Sequence, residues 1–61
     1  MSPRLYKLIK TGETKGQFKE LILMDGTYRV LVWDRYFDQA AIMFETNIKQ
    51  NALNYFDSLE D

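Results

Sequence analysis

Asp25-Gly26 separates two runs of aliphatic, β-branched and aromatic residues, 18–24 and 27–34. A two-residue type I′ turn needs positive φ at both central positions, which Asp tolerates and Gly adopts freely. The pair therefore predicts a β-hairpin, and with it a register in which residues whose numbers sum to 51 lie opposite one another. Because side chains alternate across a strand, that register writes out both faces. One face carries Leu21, Leu23, Tyr28, Val30 and Val32, with Lys19 at its end, and forms the floor of a core. The other carries Phe18, Glu20, Ile22, Met24, Thr27, Arg29, Leu31 and Trp33. That second face is too polar to bury whole and too apolar for ordinary solvent-facing surface, which makes it the first candidate for function.

An earlier apolar run, about 4 to 10, ends at Thr11-Gly12 and reads as a further strand, with Gly12 and Gly16 as hairpin glycines. Its register stays open, because Leu5 and Ile9 compete with Tyr6 and Leu8 for the inward face. From Phe37 the pattern becomes helical: Phe37, Ala41, Phe44, Ile48, Ala52, Tyr55 and Leu59 recur with a step of about 3.7 residues. Asp38 is the expected N-cap, with Phe37 and Ile42 as a hydrophobic staple. The expected fold is α+β, a three-stranded antiparallel meander (4–10, 18–24, 27–34) with one long C-terminal helix, 38–58, on one face. Its core is Leu21, Leu23, Val30, Val32, Ala41, Phe44, Ile48 and Tyr55. Such a helix reaches ~33 Å and overhangs strands of ~23 Å. It either breaks near Thr46, Asn47, Asn51 and Asn54, or packs its end, with Leu53, Tyr55, Phe56 and Leu59, on a second subunit. A homodimer is the favoured of the two.

A chain of 61 residues has room for one domain, 1–61, and one core. At that length only about 60% of the unfolded surface is buried, so small chains often add disulfides or zinc. With no Cys and no His, neither a disulfide framework nor a common structural zinc site is open to this one. The absence of Cys fits a reducing compartment, and no signal-like or membrane-length apolar run is visible, so a cytoplasmic location is expected.

The same composition argues against catalysis, since His and Cys are the side chains most used as general base and nucleophile. Asp34 and Asp38 could form a weak cation pair, but two carboxylates without further oxygen ligands rarely make a site, and turn or capping roles suit them better. Gly12 and Gly16 lack the Gly-Lys-Ser/Thr ending of a phosphate loop. No enzyme, cofactor or metal is expected.

Binding is the class left standing. The net charge of −1 conceals a split, with Arg4, Lys7, Lys10, Lys15, Lys19 and Arg29 against three acids up to residue 30, and Arg35 and Lys49 against six beyond it. In the first reading, Phe18, Ile22, Arg29, Leu31 and Trp33 recognise another protein, Phe, Trp and Arg being types enriched at interface centres. An acidic helix and tail, Glu45, Asp57, Glu60 and Asp61, would then meet a basic groove on that partner. Small chains of this kind are used by phages and mobile elements to block or redirect a host protein. In the second reading, Lys7, Lys10, Lys15, Lys19 and Arg29 hold nucleic-acid phosphates while Tyr6, Phe18 or Trp33 stack on bases. A third is a small homodimeric structural protein that buries the sheet face on itself.

Tyr28-Arg29-Val30-Leu31-Val32, followed by Phe37-Asp38-Gln39-Ala40-Ala41 and Phe44, resembles in outline the DNA-binding domains of the APETALA2 and integrase arm-binding type. The resemblance implies three antiparallel strands, a helix opened by the aromatic-Asp-x-Ala-Ala motif, and a sheet laid on DNA. The chain departs from that pattern in lacking the dense Arg and Trp content of DNA-reading strands, so the likeness bears on topology and defines no family.

Overall fold

A computed structural model of the chain describes residues 6–34, 36 and 38–59. Four strands, β1 (Lys7–Thr14), β2 (Gln17–Met24), β3 (Thr27–Trp33) and β4 (Ala40–Thr46), precede one helix, α1 (Lys49–Ser58). The sheet is antiparallel with the order β1-β2-β3-β4, so each strand lies beside its neighbour in sequence.

The hairpin expected at Asp25-Gly26 forms in the expected register, from Phe18 opposite Trp33 to Met24 opposite Thr27. Asp25 and Gly26 have φ of 52° and 77°, as the turn type demands. Lys15 and Gly16 repeat the device with φ of 51° and 78°, so β1 continues through Gly12 to Thr14 rather than ending at residue 10. Arg4 and Leu5, where the first strand was expected to begin, lie outside the described residues.

The sheet has four strands, not three, and the helix expected over 38–58 is confined to its second half. Residues 40–46 form β4 against β3, with Val32 opposite Ala41 and Val30 opposite Phe44. The step from Ala41 to Phe44 reads as one helical turn, but the ladder skips Met43 as a β-bulge, which gives a strand the same three-residue step on one face. Thr46 and Asn47 then break the chain: Thr46 Oγ1 accepts a hydrogen bond from the Ile48 N–H at 3.1 Å, and α1 begins at Lys49. At ten residues, about 15 Å, the helix fits the sheet without overhang, so the length argument for a second subunit falls away. Asp38 is a loop residue rather than an N-cap, and Ile42 is a strand residue rather than half of a staple with Phe37, which lies outside the described residues.

Leu21, Val30, Ala52 and Phe56 form the core, with Ile9, Tyr28, Phe44, Leu53, Tyr55 and Leu59 packed around it. Fully burying a Leu, Val or Phe side chain stabilises by roughly 1.5–3 kcal/mol. Leu21 and Val30 are the buried pair foreseen from the hairpin faces, and Phe44 stacks on Tyr55 with ring centroids 4.6 Å apart. Leu23 and Val32 are half-buried. Ala41 and Ile48 are exposed instead of buried, and Ala52 and Phe56 take their place, because only 49–58 is helical and its own stripe docks. Gly12 makes that docking possible: a Cβ there would stand 3.1 Å from Lys19 Cε and 3.5 Å from the Phe56 ring.

Candidate functional site

Among the described residues, the helix covers one face of the sheet and no element covers the other. The strand registers define three rows across the open face: Leu8–Ile22–Arg29–Glu45, Thr11–Glu20–Leu31–Ile42, and Glu13–Phe18–Trp33–Ala40. Phe18, Ile22, Arg29, Leu31 and Trp33, the residues expected to recognise a protein, therefore all stand on this one face. Ile22 is 5% exposed, and Phe18, Leu31 and Trp33 are half-buried.

Two polar pairs lie within the face, while Thr11 and Glu13 stand exposed on its β1 side. The Trp33 indole N–H donates to Glu20 Oε1 at 2.9 Å, and Arg29 Nε pairs with Glu45 Oε2 across β3 and β4. A partner laid against this face has no lone charge of these two pairs to neutralise, and meets an apolar plane that runs from Leu8 through Leu31 to Ile42. Leu8, 43% exposed, and Ile42, 56% exposed, were not among the expected recognition residues. Leu8 was hidden by the open register of the first strand, and Ile42 by a helical reading of 40–46; the β-branched and aromatic content of that stretch, stopped by Thr46-Asn47, is the signal that could have found it.

The basic residues of the nucleic-acid reading are divided: three share one side of the sheet, with Lys10 and Lys19 both over the Phe56 ring, and two stand elsewhere. Lys7, Lys10 and Lys19 occupy register positions on the helix side, Arg29 stands on the open side, and Lys15 is in the first turn. Lys10 Nζ pairs with Asp57 of α1 at 2.9 Å. Lys19 lies on an interior strand and is 7% exposed. Its Nζ donates to the carbonyls of Phe56 and Leu59, both at 2.7 Å, and stands 4.2 Å from the Phe56 ring centroid. The helix has no basic residue in its last turn, so this lysine supplies from the sheet the cation that a helix C-terminus favours. Of the acids expected to form a docking helix, Glu45 belongs to β4, Asp57 is held by Lys10, and Glu60 and Asp61 lie outside the described residues.

The loop between β3 and β4 is organised by Asp34, whose Oδ1 accepts the backbone N–H groups of Tyr36 at 3.0 Å and Asp38 at 3.2 Å. Hydrogen bonding to the Asp34 carboxylate, and the nearness of its charge, raise the Asp38 carboxyl above its ordinary 3.8. Among the described residues no group of three acids could hold a metal ion. An open groove of about 360 Å³ borders this loop, lined by Gln17, Val32, Gln39, Ala41 and Met43. Its one acid, Asp34, is the carboxylate that ties the loop. Among the described residues no helix is long and apolar enough to cross a membrane.

Comparison of the chain with protein-family models, with curated proteins and with solved structures finds no match. The aromatic-Asp-x-Ala-Ala likeness to sheet-reading DNA-binding domains loses its structural meaning as well, because Ala40, Ala41 and Phe44 stand on β4 and do not open a helix.

Proposed function

We propose that this protein is a non-enzymatic recognition module whose open sheet face docks on another protein, as an inhibitor or adaptor of a larger partner. The observation that carries the reading is the pairing of the two charged residues in the middle of that face, Glu20 with Trp33 and Arg29 with Glu45, which leaves Glu13 as a charge at its β1 rim. With Glu20 held by Trp33 and Arg29 by Glu45, the apolar plane of Leu8, Leu31, Trp33 and Ile42 can be desolvated without stranding these charges. Flat sheet surface of this composition suits the apolar centre of a protein interface better than a phosphate backbone. The dispersal of the lysines over the helix side and a turn, with Lys19 spent on the helix end, weakens the nucleic-acid alternative. The face, rather than the acidic residues near the C-terminus, is the docking element, since Asp57 and Glu45 are engaged within the chain.

The test uses the tagged full chain beside two variants, Leu31→Asp on the open face and Lys7→Glu/Lys15→Glu on the basic positions, each checked for folding by circular dichroism. A stoichiometric protein partner should be held by the wild type and the lysine variant and lost by Leu31→Asp. Trp33, the single tryptophan, stands on the same face, and its emission should stay flat when duplex DNA, single-stranded DNA or RNA is added at low salt. Saturable quenching that weakens steeply with salt and disappears in the lysine variant would overturn the proposal in favour of nucleic acid.

A further inference from the structure

A four-stranded open sheet has two edges, and here they are guarded unequally. Both edge strands carry a β-bulge, at Ile9 in β1 and at Met43 in β4, so the difference lies in their side chains. β1 carries one exposed apolar side chain, Leu8, and its Lys10 is held by Asp57, but Lys7 and Glu13 remain on it and Lys15 follows in the turn, a charge pattern that keeps an edge from pairing. β4 reads Ala-Ala-Ile-Met-Phe-Glu-Thr, and its only charge, Glu45, is neutralised by Arg29 of its own chain. Exposed apolar side chains gather there, with Ile42 56% and Met43 45% exposed on opposite sides of the strand and Ile48 53% exposed just beyond its end.

We infer that β4 is the dimerisation edge of this protein, pairing antiparallel with β4 of a second copy across a two-fold axis beside Ile42 and Met43 to make one eight-stranded sheet. A second copy is the occupant that fits, because a neutral strand asks for a neutral strand, and antiparallel pairing about a two-fold lets one sequence serve both sides. Apolar residues then meet on both faces of the joint, near Ile42 on the open side and near Met43 and Ala41 on the helix side, and Glu45 is kept from its own copy by the offset. One unguarded edge also closes the assembly at two, since the lysine-bearing β1 edges left outermost do not propagate it. An edge of seven residues, about 23 Å, on a slab 15 Å thick offers on the order of 350 Å² in projection per copy, less than the roughly 500 Å² per copy of a stable interface. The dimer is therefore a weak one that forms and dissociates with concentration.

Ile42 belongs to both the open face and this edge, whereas Met43, on the helix side, belongs to the edge alone, so Met43→Lys is the variant that separates this inference from what the open face binds. Sedimentation equilibrium of the full chain, from about 1 to 500 μM, is expected to show a monomer–dimer transition, since that span reaches the concentrations a weak dimer needs. Met43→Lys and Ile42→Lys, both at exposed positions, should each raise the dissociation constant about tenfold or more by placing like charges across the axis. Leu8→Lys, on the open face at the opposite edge of the sheet, should leave it unchanged, while Leu31→Asp, the cross-strand neighbour of Ile42, serves the partner-capture test alone. A dimer lost with Leu8→Lys but kept with Met43→Lys would mean that open faces pack on each other, and would overturn the proposal. A monomer at every concentration would overturn it too, and would leave β4 to an extended segment of a foreign protein.

Discussion

Lys19 is the residue on which sheet and helix meet. A lysine in the middle of a sheet is costly to desolvate, and this one is compensated by two carbonyls and an aromatic ring at a helix end whose last turn has no basic residue of its own. Lys19→Met keeps the aliphatic stem but leaves the Phe56 and Leu59 carbonyls short of a donor. We expect it to lose about 2 kcal/mol of stability in urea denaturation, since hydrogen bonds to charged groups are worth roughly 1.5–3 kcal/mol. An unchanged midpoint would mean that water replaces the ammonium at no cost. Asp38 makes a second prediction at this scale. Its raised pKa means that the folded chain holds the proton more strongly than the unfolded chain, so this contribution is full below 3.8 and is lost as pH rises through the folded value. Asp38→Asn keeps a donor for Asp34 and removes the titration. Its stability should fall less than the wild type's between about pH 4 and pH 7, a window set by the ordinary carboxylate range. Parallel pH profiles of the denaturation midpoint would count against the pairing.

Among the elements, the two tight turns do the most to define the sheet. Lys15-Gly16 and Asp25-Gly26 both adopt positive φ at each central residue, and each joins strands that pair without offset at the turn. A Cβ at Gly26 meets nothing within 4 Å, so Gly26→Ala tests backbone conformation without a clash. It should cost about 1 kcal/mol, the left-handed penalty for an L side chain, read as a lowered thermal midpoint with the fold retained. No change would imply that the turn is looser than its dihedral angles. The helix is the opposite kind of element. Ten residues, with no side-chain hydrogen bond at the N-cap and no acid in the first turn, fall below the length at which a helix persists alone, and α1 is held by Ala52 and Phe56 against Leu21 and Val30 and by Lys19 at its end.

At the scale of the whole molecule, the meander gives each strand the neighbour that the chain can reach with a short connection, which keeps contacts local. A sheet covered on one side by a short helix leaves one face and two edges to be accounted for. The open face answers with internal pairs of polar groups, one edge with lysines, and the other, β4, with exposed apolar residues. If two copies join at β4, their open faces lie in one continuous sheet, and a partner of sufficient size meets two recognition surfaces at once.

What the sequence determined by itself was local and periodic. Asp25-Gly26 dictated a turn, the turn a register, and the register put Phe18, Ile22, Arg29, Leu31 and Trp33 on one face and Leu21 and Val30 on the other, because backbone sterics and alternation act over a few residues. The tertiary structure decided whatever depended on residues far apart. Residues 40–46 carry spacings that suit a helical turn and a bulged strand alike, and the edge of β3, with its unpaired backbone groups, settled them as a strand. Lys19 could be read as a surface cation until Phe56 and Leu59, 37 and 40 residues away, were folded over it. The face that a strand presents can be read along the chain; what comes to rest against that face is fixed only when the chain returns to it.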